Sequence, residues 1–171
     1  MLDLARSQKL DWLAQRMADV RTAAPGVEPL IVGALARDLL LHYGSGFKIE
    51  RATADVDCAL AVADWAQYSA MRDALLASGL FSPYRDTAHK LRHGRFGWID
   101  LIPFGGLARS DGTIAWPPAG DEVMTVIGYA EAASAAITVS LPNNQSARVV
   151  SFVLSARLMP SLRRSWMRTA S

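Results

Sequence analysis

The chain is poor in cysteine, in lysine and, beyond residue 131, in acid. Its single cysteine, Cys58, excludes an internal disulfide framework and a cysteine-based metal site. No apolar run approaches the roughly 20 residues of a membrane span, and none is flanked like a signal peptide. A Gly-x-x-x-x-Gly-Lys phosphate loop and a Gly-x-Ser-x-Gly nucleophile turn are both absent. His42, His89 and His93 show no metal-ligand spacing with one another. Only three of the 18 basic residues are lysines, and no acid follows Glu131. Residues 1–131 therefore hold 13 basic and 16 acidic groups, net −3, while Arg148, Arg157, Arg163, Arg164 and Arg168 add five positive charges. Such an ending either meets RNA or a membrane surface, or is simply ill-fitting. A membrane-free, cytoplasmic protein is the expectation.

What is present is a chain of 171 residues, about half of them hydrophobic, enough for one core. Residues 4–22 read as an amphipathic helix, with Leu10, Leu13, Met17 and Val20 on its apolar stripe and Arg16 off it. Leu30–Val32 reads as a strand, Gly33 as a turn and Ala34–Tyr43 as a helix ended by Gly44. After a Gly44–Glu50 loop come a strand over Asp55–Val62 and a helix over Trp65–Ser78, capped by Asp64 and ended by Gly79. Phe81–Asp86 reads as a connection. Ala88–His93 and Gly97–Phe104 read as a hairpin. Val123–Ile127 then suggests a turn, Tyr129–Ala136 a short helix, and Ile137–Leu141 with Arg148–Val153 a second hairpin. Strands mixed with helices point to an α/β or α+β domain with a mixed sheet flanked by helices.

Three carboxylates stand out. Asp55 and Asp57 are two apart on an expected strand, so both project from one face. Adjacent like charges raise each other's proton affinity unless a cation lies between them, and oxygen donors suit magnesium. Taken alone, Asp-Val-Asp is more often a solvated edge strand. Asp100 lies within the apolar run Trp98-Ile99-Asp100-Leu101-Ile102, where an acid is paired or coordinated if it is buried. It either joins the other two acids or pairs with Arg92 or Arg95 across its hairpin. Gly33, at a helix N-terminus, is either a phosphate-binding turn or merely a turn. Arg37 and Asp38, one turn into that helix, pair with loop groups, or Arg37 reaches phosphate. Arg51 and Thr53 flank the acidic strand. Lys90 meets a triphosphate or is a solvated hairpin position. Trp116-Pro117-Pro118 forms an aromatic wall for a base or, more ordinarily, a packed surface loop.

The run Gly33-Ala34-x-Ala36-Arg37-Asp38-Leu39-Leu40-Leu41, followed by Asp55-Val56-Asp57, resembles the nucleotidyltransferase superfamily of the polymerase-beta type. Within it, Arg51-x-Thr53-x-Asp55-Val56-Asp57 and Asp100-Leu101-Ile102-Pro103-Phe104-Gly105-Gly106 are most similar to bacterial nucleotidyltransferases of the abortive-infection toxin kind. The Ala36–Leu41 run also looks like the corresponding helix of tRNA CCA-adding enzymes.

The resemblance implies a nucleotidyltransferase-like domain over residues 1–154. It implies Asp55, Asp57 and Asp100 as catalytic metal ligands for Mg2+ or Mn2+, with Asp100 also activating the acceptor hydroxyl. Gly33 and Ala34 would hold the triphosphate of an NTP substrate, with Arg37, Arg51, Thr53 and Lys90 as further nucleotide contacts. The implied reaction moves a nucleoside monophosphate to a hydroxyl on RNA or tRNA, a protein or a small molecule, with an antitoxin protein as a conceivable partner. Ala34 stands where that family has glycine or serine and brings no hydroxyl. Residues 155–171 read as an arginine-rich tail, disordered, truncated or out of frame. Two other classes compete: a nucleotide- or metal-binding module of the same fold without turnover, and an RNA-binding domain using the tail.

Overall fold

The computed structural model describes residues 1–48, 55–85, 87–117 and 119–150. Arg51, Thr53 and the 155–171 tail lie outside the described residues. A short strand β1 (Leu2–Asp3) leads through a 3-10 turn (Gln8–Leu10) into helix α1 (Asp11–Ala23). Strand β2 (Leu30–Val32) runs directly into α2 (Gly33–Asp38), which widens into a π-type stretch, Leu39–Tyr43. Strand β3 (Val56–Val62), helix α3 (Trp65–Ala77), strand β4 (Phe81–Pro83) and the hairpin β5 (Lys90–His93) and β6 (Gly97–Gly105) follow. Strands β7 (Thr113–Ala115) and β8 (Val123–Thr125), helix α4 (Tyr129–Ser134) and the hairpin β9 (Ile137–Leu141) and β10 (Gln145–Val149) complete the described chain.

The result is a mixed α/β architecture. One large sheet has the order β1-β9-β10-β2-β3-β6-β5-β4, and β7 pairs with β8 separately. At its centre β3 is antiparallel to β2 and parallel to β6. The parallel β3–β6 pair needs a crossover, which α3, β4 and β5 supply. On one face of that pair Val56, Cys58, Leu60, Ile99 and Leu101 are at most 1% exposed. Helix α1 packs against β9, β10 and α3, and α3 against β3 and β4. Helix α4 approaches β6 from the other face, where its Tyr129 ring meets Phe104. The central strands are thus covered continuously on one face and only in part on the other.

Several expectations hold. Leu10, Leu13, Met17 and Val20 form a buried stripe, and Cys58 is a core residue. Asp64 caps α3, its Oδ1 accepting from the Gln67 backbone N–H at 2.8 Å. Trp116 is packed, 3% exposed, among Trp65, Tyr68 and His89. Others need correction. The first helix starts at Asp11 rather than residue 4, because Leu2 and Asp3 add to the sheet beside Val139 and Ser140. Arg16 is fully buried, and its Nη1 donates to the Trp98 carbonyl at 2.8 Å. Phe81–Pro83 is not a bare connection but the edge strand β4, where the missing N–H of a proline is tolerated. Val123–Thr125 is a strand rather than a turn, because it pairs with Thr113–Ala115. The second strand of the last hairpin starts at Gln145, which pairs with Leu141 across the three-residue connection Pro142-Asn143-Asn144, because Asn143 and Asn144 take φ values of 58° and 57° that turn the chain.

Replacing Asp64 with alanine leaves the Gln67 N–H without its acceptor. Urea denaturation of Asp64→Ala is expected to show a loss of about 1 kcal/mol, and an unchanged midpoint would contradict a capping role.

Candidate functional site

The sheet register gathers the acidic residues. Val32 on β2 is the register partner of Asp57 on β3, Asp57 of Asp100 on β6, and Asp100 of Lys90 on β5. Register partners on neighbouring strands project to the same face, with Cβ atoms about 5 Å apart. Asp57 and Asp100 therefore stand side by side, both half-buried, on the less covered face. Asp55 is exposed and lies immediately before β3.

Gly33 closes the row from the β2 side. Its φ is +69°, and a Cβ there would overlap the Asp57 carboxylate. Glycine is required twice over: for the left-handed backbone that lets β2 turn into α2, and for the space that Asp57 fills. The turn thus brings the start of α2 into direct contact with the central acid. Ala34, next in the turn, is exposed.

The charges are unequal. Lys90 Nζ lies 3.3 Å from Asp100 Oδ2. The other oxygen, Asp100 Oδ1, is buried without a hydrogen-bond partner among the described residues. Burial raises the proton affinity of Asp57 above the ordinary carboxylate range; Asp100 and then Asp55 raise it further, and Lys90 opposes them. Tyr129 on α4 also feels this site. Burial first, and Asp57 second, push its hydroxyl up to about 12. Arg16, whose pKa burial lowers to about 10, is within electrostatic range of Asp55.

An all-oxygen donor set with an orphaned buried acceptor suits a hard divalent cation such as magnesium or manganese. As the side chains are placed, no three His, Cys, Asp or Glu residues among the described residues form a group able to hold a metal ion. The cation on Asp100 is the Lys90 ammonium.

The anticipated residues fall into three groups. Gly33, Asp57, Asp100 and Lys90 share one row, and Asp55 adjoins it. Arg37 pairs locally: its Nε and Nη2 donate to Asp38 Oδ1 at 2.9 and 2.6 Å, and Asp38 is 2% exposed. Arg51 and Thr53 are outside the described residues. Asp100 pairs with Lys90, not with Arg92 or Arg95. Sequence reasoning overlooked Tyr129; the available signal was a tyrosine directly after Gly128, at the start of an alanine-rich helix.

Gly33→Ala must both strain a left-handed backbone and displace the Asp57 carboxylate. It is expected to cost on the order of 1–3 kcal/mol, read as a lower thermal midpoint. For Asp57, the folded state binds more protons than the unfolded one between the ordinary carboxylate pKa and the raised value. Stability therefore falls as pH rises through that window. Asp57→Asn should be more stable than the parent in urea at pH 8, with the gain fading as pH drops to the ordinary carboxylate pKa. A pH-independent difference would show that Asp57 is not held protonation-prone.

No protein-family model matches the chain, and neither the curated proteins nor the solved structures include one detectably similar to it.

Proposed function

We propose that the protein is a nucleotidyltransferase of the polymerase-beta type, transferring a nucleoside monophosphate from an NTP to a hydroxyl acceptor. The observation that carries this reading is the register of Asp57 with Asp100, two half-buried acids side by side. The Gly33 turn packed on Asp57 supports it, because the start of α2 then faces the same acids. Asp55, Asp57 and Asp100 are the residues that would hold magnesium or manganese, which would neutralise the triphosphate and lower the pKa of the attacking hydroxyl. In the transfer, the acceptor oxygen bonds to the α-phosphorus, the bond from that phosphorus to the bridging oxygen breaks, and pyrophosphate leaves. Asp100 orients the acceptor hydroxyl and takes its proton. Backbone N–H groups at Gly33 and Ala34 face the triphosphate. Lys90, beside Asp100, offsets part of the negative charge. A toxin of the abortive-infection kind, held in check by an antitoxin protein, belongs to the same reading.

One observation favours a second reading, a nucleotide-binding module without turnover. The Lys90 ammonium already occupies one oxygen of Asp100. A lysine in that position substitutes for part of the charge that a divalent ion would supply, so the site could bind nucleotide without activating an acceptor.

The two readings separate in one experiment. The full chain is incubated with each labelled NTP, magnesium or manganese, and pooled RNA and protein acceptors. Transfer predicts label on an acceptor, reduced to background in Asp57→Ala and Asp100→Ala. Metal-dependent NTP binding without incorporation selects the module, and absence of both rejects both readings.

A further inference from the structure

The face that carries Asp57 and Asp100 continues toward the β4 edge as a surface of a different kind. Along β6, Trp98 lies two residues before Asp100 and so projects to the same face. Across the hairpin, Arg92 is the register partner of Trp98, as Lys90 is of Asp100. The burial pattern agrees: Leu91, His93 and Ile99 are buried on one side, while Lys90, Arg92 and Trp98 remain partly or fully exposed on the other. Tyr84, just past β4, packs its ring 4.2 Å from that of Trp98. The Arg92 guanidinium lies 5.8 Å from the Trp98 ring, and Arg85 and Lys90 lie 5.1 and 5.8 Å from the Tyr84 ring.

Two half-buried aromatic rings are thus interleaved with three cations. Lys90 is paired with Asp100, but Arg85 and Arg92 have no carboxylate partner among the described residues. Rings on which bases stack, beside guanidinium groups that meet phosphates, make the combination that holds single-stranded nucleic acid. A duplex, whose bases are already stacked, would use only the charges. Trp98 and Asp100 are two residues apart on one strand, about 7 Å.

We propose that Tyr84, Arg85, Arg92 and Trp98 form a docking surface for a single-stranded nucleic acid, with the end of the strand directed toward Asp100. Binding itself needs only this surface; the further statement that the bound strand is the acceptor rests on the nucleotidyltransferase reading.

The test is fluorescence anisotropy on the full chain with a short labelled single-stranded RNA, its DNA counterpart and the matching duplex, without NTP or metal. Tight binding of either single strand, several-fold weaker binding of the duplex, and a loss of roughly tenfold or more in Arg85→Glu/Arg92→Glu are expected, with a shallower salt dependence. Both arginines are exposed, so this variant should fold; circular dichroism checks that it does. Trp98→Phe should retain more affinity than Trp98→Ala, because a ring remains. Arg6→Glu/Lys9→Glu, altering exposed cations that follow β1 at the opposite edge of the sheet, should leave binding unchanged. The proposal is overturned if no single strand binds, if the duplex binds equally well, or if both charge-reversal pairs lose affinity alike. Single-strand binding without incorporation of label would reject the transferase reading and leave the docking surface standing; incorporation without single-strand binding would do the reverse.

Discussion

The site depends on two carboxylates that the sheet forces to be neighbours. Asp57 and Asp100 come from strands 43 residues apart in the chain, yet the parallel register of β3 and β6 sets them directly alongside one another. Two acids in that position repel, and partial burial makes the repulsion harder for water to screen. An arrangement that costs stability unless a cation or a proton compensates it is typical of a working site rather than of a scaffold. The proton affinity of Asp57, raised by burial and by Asp100, expresses that cost.

The surroundings fit this constraint. Gly33 has no side chain because Asp57 takes its space, and the same residue provides the left-handed turn into α2. Lys90 supplies one compensating charge from the neighbouring strand, and one oxygen of Asp100 is buried with no hydrogen-bond partner among the described residues. The opposite face of β3 and β6 carries Val56, Cys58, Leu60, Ile99 and Leu101, all buried, which anchors the strands so that the acids cannot move apart freely. Beyond Lys90 the exposed side of the hairpin turns from acidic to basic and aromatic, so a row of acids and a basic, aromatic surface adjoin on one sheet.

Among the described residues no helix is long and apolar enough to cross a membrane. The nearest thing to a dedicated anion contact on α2, Arg37, is turned onto its buried neighbour Asp38. It is bonded within the helix rather than directed across the Gly33 turn.

Much of this was legible in the order of residues. The apolar positions Val56, Cys58 and Leu60 and the apolar run around Asp100 identified strands, and glycine and asparagine marked turns whose positive φ other residues resist. Asp64 announced a helix start by its own chemistry. These are local properties, set by a residue and its immediate neighbours. The pairing of Asp57 with Asp100, the choice of Lys90 over Arg92 or Arg95 as partner, the burial of Arg16 under Trp98, and the edge strands at Leu2–Asp3 and Phe81–Pro83 were not local. Each depends on which strands lie side by side and in what register, and a shift of one residue would send Asp57 or Asp100 to the opposite face. The sequence by itself determined that three acids, a glycine turn and apolar strands exist in this order. Only the tertiary structure decided that two of the acids meet over that turn, because the contact is made by packing between distant segments and not by spacing along the chain.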